Sequence, residues 1–194
     1  MADTTVGVVG LGAMGMGAAL ALIDAGFNVF GFDVDAAKLS ALNASGGTAC
    51  ESPAALAEHT DRVITLVVNA EQVEQALFGE RGLAASFSSG LLIQPATAAP
   101  GWVCGLDKCL DACGIELLDS PVSGGQLHAR EGKLSVMLSG PAARRARRRY
   151  LRRACRESVC DGRCDRSRFV NETCQSAVGR RAHCCFRRGD GICN

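Results

Sequence analysis

Three glycines near the N-terminus have the spacing of a phosphate-binding turn. They lie in Gly10-Leu11-Gly12-Ala13-Met14-Gly15, directly after the apolar run Val6–Val9. Between a strand and a helix, the first glycine permits a tight turn, the second lets the backbone approach a pyrophosphate, and the third allows the helix to pack closely on the strand. The N-terminus of the following helix supplies unpaired N–H groups and positive potential. We therefore predict that this turn holds a dinucleotide.

An acidic residue, Asp33, follows 18 residues beyond Gly15, at the end of the next apolar run, Val29–Phe32. A carboxylate at this point accepts hydrogen bonds from both hydroxyls of an adenosine ribose and repels a 2′-phosphate. NAD is therefore expected in preference to NADP. The alternative is a glycine-rich turn followed by a solvated aspartate, but the complete order of strand, turn, helix, strand and acid disfavours it.

A second stretch whose residues could bind a ligand is Asp119-Ser120-Pro121-Val122-Ser123-Gly124-Gly125. Its serine hydroxyl and the N–H groups of its two glycines could surround a carboxylate. Judged on these residues alone, an ordinary connection between two strands remains an open alternative.

Alternating apolar runs and helix-forming stretches position both motifs. The helix after the glycine turn is expected to end before Gly26, and other helical stretches are Pro53–Glu58 and Glu71–Leu77. Strands are predicted at Val6–Val9, Val29–Phe32, Val63–Val68, Leu91–Gln94, Ile115–Leu118 and Leu134–Leu138. This order predicts an α/β fold: a doubly wound, mostly parallel Rossmann-type sheet that is covered on both faces.

Charge and cysteine divide the 194 residues near Ala142. Residues 1–142 carry 6 basic and 15 acidic side chains with 4 cysteines, whereas residues 143–194 carry 15 arginines, 5 acidic side chains and 7 cysteines. We expect a cofactor-binding domain over 1–142 and an irregular Arg/Cys-rich tail over 143–194. No apolar run reaches membrane-spanning length, and the first residues lack a signal-peptide pattern, so a cytoplasmic protein without a membrane partner is expected.

Both motifs together resemble the β-hydroxyacid dehydrogenase family, which includes the 3-hydroxyisobutyrate dehydrogenases. The stretches Met14–Leu20, Leu66–Val73 and Leu77–Glu80 are most similar to its L-threonate dehydrogenase branch. The resemblance covers 1–142 and implies NAD-dependent oxidation of a small hydroxy acid. It implies that Val67, Val68 and Gln72 lie along the cofactor, that Thr97 reaches its nicotinamide side, and that Ser123, Gly124 and Gly125 hold the substrate carboxylate. Residues 94–96 and 101–109 depart from the family pattern.

The family's catalytic lysine is absent, because no lysine follows Lys133. The resemblance places that lysine in a Gly-x-x-x-Lys-x-x-Asn helix, within a helical half through which family members oligomerise. Read one nucleotide later, the codons of residues 170–175 permit Ser-Met-Lys-Leu-Val, which is similar to the family's lysine helix. We therefore hypothesise a frameshift after about residue 142. We assign no catalytic residue and expect little or no turnover, since a lost general acid or base costs about 10²–10⁴ in rate.

A second function class is a nucleotide-binding module with a basic tail that binds nucleic acid or a partner protein. Its arginine cluster, residues 144–153, has little aromatic interleaving, so no specific nucleic-acid partner is expected. A zinc site is suggested by Cys160, Cys164, His183, Cys184 and Cys185. They lack the paired Cys-x-x-Cys spacing of such a site, and we predict no metal.

Overall fold

Six strands run parallel in one sheet of the computed structural model, which describes residues 4–87, 89–139 and 155–158. In chain order they are β1 (Thr5–Val9), β2 (Asn28–Phe32), β3 (Thr48–Ala49), β4 (Arg62–Thr65), β5 (Gly90–Gln94) and β6 (Ile115–Asp119). Side by side, their order is β3-β2-β1-β4-β5-β6. The chain therefore winds away from β1 in one direction and returns to β4 on its other side. In sheets of this kind, ligands bind at the carboxyl ends of the strands, where the order reverses.

Helices connect the strands and lie on both faces of the sheet. They are α1 (Ala13–Asp24), α2 (Ala36–Ala44), α3 (Pro53–Ala57), α4 (Ala70–Phe78), α5 (Pro100–Ala112) and α6 (Gly125–Arg130), with a short 3₁₀ turn at Leu83–Ala85. The sequence has clear reasons for several ends: Ser52 and Asn69 cap the N-termini of α3 and α4 through their side chains, and α1 ends before Gly26, which has a φ of 84°. The predicted end of α1 is thus confirmed.

Alternate residues of the strands build two separate apolar cores. Val8, Ile93 and Leu118 are buried on the face that carries α1 and α6. Val9 and Leu92 are buried on the opposite face, among side chains of α3, α4 and α5. A strand that is buried on both faces reads as a continuous apolar run, which explains the pattern in the sequence. The predicted doubly wound, parallel fold is confirmed.

Two strand predictions need correction. The strand predicted at Val63–Val68 ends at Thr65, because the chain leaves the sheet after the Leu66 N–H bonds the Val9 carbonyl. The strand predicted at Leu134–Leu138 is present as β8 (Leu134–Met137), but it lies in a separate three-stranded sheet with β7 (Val122–Ser123) and β9 (Cys155–Ser158). It pairs antiparallel to β7 and parallel to β9.

Strand β9 belongs to the segment for which the sequence predicts no regular structure. The rest of that segment lies outside the described residues, as do the arginine cluster of 144–153 and the cysteine and histidine residues considered above as a zinc site. Within the described part of the chain, no helix is both long and apolar enough to cross a membrane. The same part contains no group of three or more metal-ligating side chains.

Candidate functional site

The glycine turn links the carboxyl end of β1 to α1, and each of its three glycines has a distinct environment. Gly10 has a φ of 91°, and a side chain there would lie 2.5 Å from the Leu66 carbonyl oxygen. A side chain at Gly15 would overlap the Gly10 carbonyl oxygen, so this glycine allows the helix to sit directly against the turn. A side chain at Gly12 would meet nothing within 4 Å among the residues that the structure describes. The chain itself therefore leaves open space at the one glycine that should face a phosphate.

Gly12 is also the N-cap of α1, and it has no side chain to bond the N–H groups of the first turn. Those groups lack partners within any helix. Ala13 is exposed, and Met14 is half-buried. The first turn of α1 can therefore present N–H groups and positive potential to an anion that occupies the space beside Gly12.

The Asp33 carboxylate lies behind this turn, with only 8% of the residue exposed. Its Oδ2 accepts a hydrogen bond of 2.6 Å from the Leu11 N–H, and its Oδ1 accepts one of 3.0 Å from the Asp35 N–H. Lys38 Nζ lies 3.3 Å from the same Oδ1. Burial by itself would raise the pKa of Asp33, but the two backbone hydrogen bonds and the Lys38 ammonium together hold it below its usual value. The carboxylate is therefore ionised at neutral pH.

The chain after β4 lies on the other side of the glycine turn from β2, because β4 and β2 flank β1 in the sheet. Val67 lies close to the turn, because a side chain at Gly10 would come within 2.9 Å of its Cγ1. Val68 is 84% exposed, and its N–H donates to Gln72 Oε1 at 2.9 Å. The Gln72 side chain thus bridges the first turn of α4 to the loop. This arrangement places Val67, Val68 and Gln72 together on the side of the turn remote from Asp33.

The loop after β5 contains Thr97, which is exposed between the sheet and α5. Before it, Gln94 is 1% exposed, and neither its amide nitrogen nor its amide oxygen has a partner among the described residues. In register, Gln94 pairs with Asp119 of β6. The sequence singles out residues 94–96 as a departure from the family pattern, but it gives no sign that this amide is buried.

The predicted substrate loop follows the carboxyl end of β6. Ser123 is exposed and pairs with Ser135 of β8, while Gly124 and Gly125 have φ values of 133° and 70°. Such values favour glycine strongly. The His128 ring approaches the Gly124 carbonyl, with 2.6 Å between Nδ1 and the oxygen. His128 itself is exposed.

All of these loops follow carboxyl ends of parallel strands, so they gather at one edge of the sheet. The open space at Gly12, the first turn of α1 and the ionised Asp33 match a phosphate-linked nucleotide that carries a ribose diol. Fold and site together define a dinucleotide-binding domain of the Rossmann type.

Residues 5–156 match the protein family described as the NAD-binding domain of 6-phosphogluconate dehydrogenase, and the chain belongs to this family. Among curated relatives, an L-threonate dehydrogenase of Cupriavidus necator is 47% identical over 138 residues, and one of Escherichia coli is 41% identical over 137 residues. These alignments cover 71% and 70% of this chain and 46% and 45% of the relatives. The crystal structure of a 3-hydroxyisobutyrate dehydrogenase from Salmonella typhimurium matches with a TM-score of 0.75 at 35% identity, covering 81% of this chain and 55% of the other.

These similarities confirm the family inferred from the two motifs, and the family match confirms NAD as the cofactor class. The chain spans about half the length of the curated relatives that it matches. Their activity and substrates therefore apply to this chain only as proposals.

Proposed function

We propose that this chain is the cofactor-binding part of an NAD-dependent dehydrogenase that oxidises a small hydroxy acid such as L-threonate. The observation that carries the proposal is the ionised Asp33 carboxylate, bonded to the backbone of an open glycine turn at the point where the strand order reverses. The relatives named L-threonate dehydrogenase support the class of substrate.

In this proposal, the residues of the turn bind the pyrophosphate. The N–H groups of Ala13, Met14 and Gly15 in the first turn of α1 supply the hydrogen bonds, and Gly12 supplies the space. The Leu11 N–H bonds Asp33, so Leu11 contributes by holding the turn rather than by donating to a phosphate. Gly10 shapes the bend through its positive φ.

The two sides of the crevice hold the two ends of the cofactor. Asp33 accepts hydrogen bonds from the adenosine ribose, and its negative charge opposes a 2′-phosphate. Val67, Val68 and Gln72 line the cofactor after β4, and Thr97 lies at its nicotinamide side. NAD, when bound, supplies the carbon that accepts a hydride from the substrate.

The substrate carboxylate is held by Ser123, Gly124 and Gly125. Their support is the family resemblance together with a backbone that two positive φ values keep free of side chains. The proton at the substrate hydroxyl needs a general base, and we assign none within this chain. We therefore expect the domain of residues 1–142 to bind cofactor but the whole chain to show little turnover.

Isothermal titration calorimetry of the full chain with NAD and NADP tests the proposal. We expect NAD to bind more tightly than NADP. Asp33→Asn should weaken NAD binding roughly tenfold or more, because hydrogen bonds to a charged group are the stronger ones, and should reduce the preference over NADP. Asp35→Asn is the matched control: Asp35 is an exposed N-cap two residues away, and asparagine caps equally well. Absence of NAD binding by the folded chain would refute the proposal.

L-Threonate with NAD should give no more than a slow rise in absorbance at 340 nm. Rapid turnover would refute the expectation that this chain lacks its general base, while leaving the proposed cofactor and substrate classes intact.

A further inference from the structure

Helices α1 and α6 pack against each other at Gly17, a glycine that lies outside the glycine turn. Gly17 is buried one turn into α1, facing the C-terminal end of α6. A side chain added at Gly17 would lie 2.9 Å from the backbone nitrogen of Arg130 and 3.0 Å from Cβ of Ala129. Real Cβ atoms do not approach a backbone nitrogen so closely, and backbone atoms cannot yield as the tip of a side chain can. A side chain at this position would therefore push α6 away from α1.

The contact at Gly17 is reinforced on both sides. Ala129 is fully buried in the same core as Ala19 and Leu22 of α1. At the far end of α1, Asp24 forms an ion pair with Arg130, with 2.5 Å between Oδ2 and Nη1. Helix α6 therefore packs on α1 in one defined position. The absence of a side chain at Gly17 permits this packing.

The packing of α6 on α1 also determines the position of the predicted substrate loop, residues 123–125. Ser123, Gly124 and Gly125 lead directly into α6, and the α6 residues are followed by β8, whose Ser135 pairs with Ser123. The loop is thus attached to one compact unit formed by β7, α6 and β8. That unit rests on the same helix whose first turn carries the glycine turn. A displacement of α6 along or away from α1 must displace the loop relative to the cofactor.

We propose that Gly17 is a positioning residue, which sets the distance between the loop that holds the substrate carboxylate and the turn that holds NAD. The inference rests on the proposed function, because it takes the roles of the loop and the turn from there. It adds that affinity for the hydroxy acid, and not affinity for NAD, depends on Gly17. Gly17 touches neither ligand.

The test compares two affinities in the full chain by calorimetry: NAD alone, and L-threonate added to the NAD-saturated chain. Gly17→Ala should raise the Kd for L-threonate about tenfold or more, since a displacement of about 1 Å costs that much in well-oriented sites, and should change the Kd for NAD by less than about twofold. Hydrogen exchange should be faster at the amides of residues 126–130 in this variant. Gly101→Ala in α5 is the matched control, because in the described part of the chain its added Cβ meets nothing within 4 Å.

Two further variants separate positioning from a general loss of structure. Ala129→Gly in the Gly17→Ala background removes one of the two close contacts and should recover part of the L-threonate affinity. Arg130→Gln removes the ion pair with Asp24 without adding bulk; it should raise the Kd for L-threonate about two- to fivefold and leave the Kd for NAD unchanged, since exposed ion pairs contribute modestly. No change in the Kd for L-threonate would count against the inference. If Gly17→Ala does not fold, this variant carries the test.

Equal losses of both affinities in Gly17→Ala, or no loss of either, would overturn the inference. The inference would also be overturned if the chain without substitutions bound NAD but no L-threonate, although the proposed cofactor site would then stand. A chain that binds neither ligand would refute the proposed function as well.

Discussion

The Leu11 N–H donates a 2.6 Å hydrogen bond to the Asp33 carboxylate, across 22 residues of sequence. The bond joins the glycine turn after β1 to the end of β2. Besides its proposed role as an acceptor for a ribose, Asp33 therefore also holds the backbone that should face the pyrophosphate. The same carboxylate thus links the two halves of the proposed nucleotide site.

The stability of the folded chain should depend on the ionisation of Asp33. Its pKa in the folded state lies below the ordinary value of 3.8, so the carboxylate contributes fully to stability above that pH. The contribution is lost as the pH falls through the lowered pKa, because the folded state must then take up a proton. The difference in free energy of unfolding between the unchanged chain and Asp33→Asn should therefore shrink below pH 3.8. Urea unfolding from about pH 6 to about pH 3 measures it, with Asp35→Asn as control; a constant difference would contradict the prediction.

Gly12→Ala should abolish NAD binding without unfolding the chain. The added Cβ meets no atom of the described residues within 4 Å, and the φ of −63° suits alanine, so the melting temperature should stay within about 2 °C. The methyl group would, however, stand where the pyrophosphate should lie. Calorimetry with NAD and a thermal melt check both parts. Unimpaired binding would mean that the cofactor does not approach this glycine.

Gly15→Ala should have the opposite effect and destabilise the fold. Its Cβ would overlap the Gly10 carbonyl oxygen, and a backbone atom cannot move aside without opening the turn. We expect a loss of about 1–3 kcal/mol in the free energy of unfolding, as for other overpacked sites. Urea unfolding followed by circular dichroism measures it, and Gly101→Ala provides a glycine in open space for comparison. A loss no larger than in that control would show that the turn adjusts freely.

Trp102 ties α5 to α4 through a 2.6 Å hydrogen bond from Nε1 to Glu74 Oε1. Trp102→Phe removes the donor and part of a buried ring system, which should cost about 1–3 kcal/mol of unfolding free energy. Glu74→Gln keeps an acceptor oxygen and should cost less than about 1 kcal/mol. Because Trp102 is the only tryptophan, unfolding is followed by far-ultraviolet circular dichroism. Equal costs for both variants would mean that the hydrogen bond contributes nothing specific.

The hypothesis of a frameshift is tested at the level of DNA. Sequencing the coding region between the codons of Leu138 and Arg153 should reveal one base gained or lost relative to a near homologue. The restored frame should then encode a lysine shortly after the codons of residue 170. An intact single frame, with no such difference in any near homologue, would refute the hypothesis.

Local patterns in the sequence were sufficient to predict the turn and its acid. The roles proposed for Gly10, Gly12, Gly15 and Asp33 depend on spacing within one strand–helix–strand unit, and such a unit has few ways to fold. The same holds for the strands that are apolar throughout, because burial on both faces leaves a signal that needs no partner to be recognised. The predicted strand at Val63–Val68 extended too far, because Val67 and Val68 continue the apolar run without joining the sheet.

Other features depend on residues far apart in the sequence, and no local pattern announces them. Three such features arise where separate elements meet: the buried amide of Gln94, the hydrogen bond between Leu11 and Asp33, and the packing of Ala129 on Gly17. In the sequence, Gly17 is one more small residue of α1. The effect of its missing side chain follows from the distance between α1 and α6. That distance is set by the packing of the whole core and not by the sequence neighbours of Gly17 or Ala129.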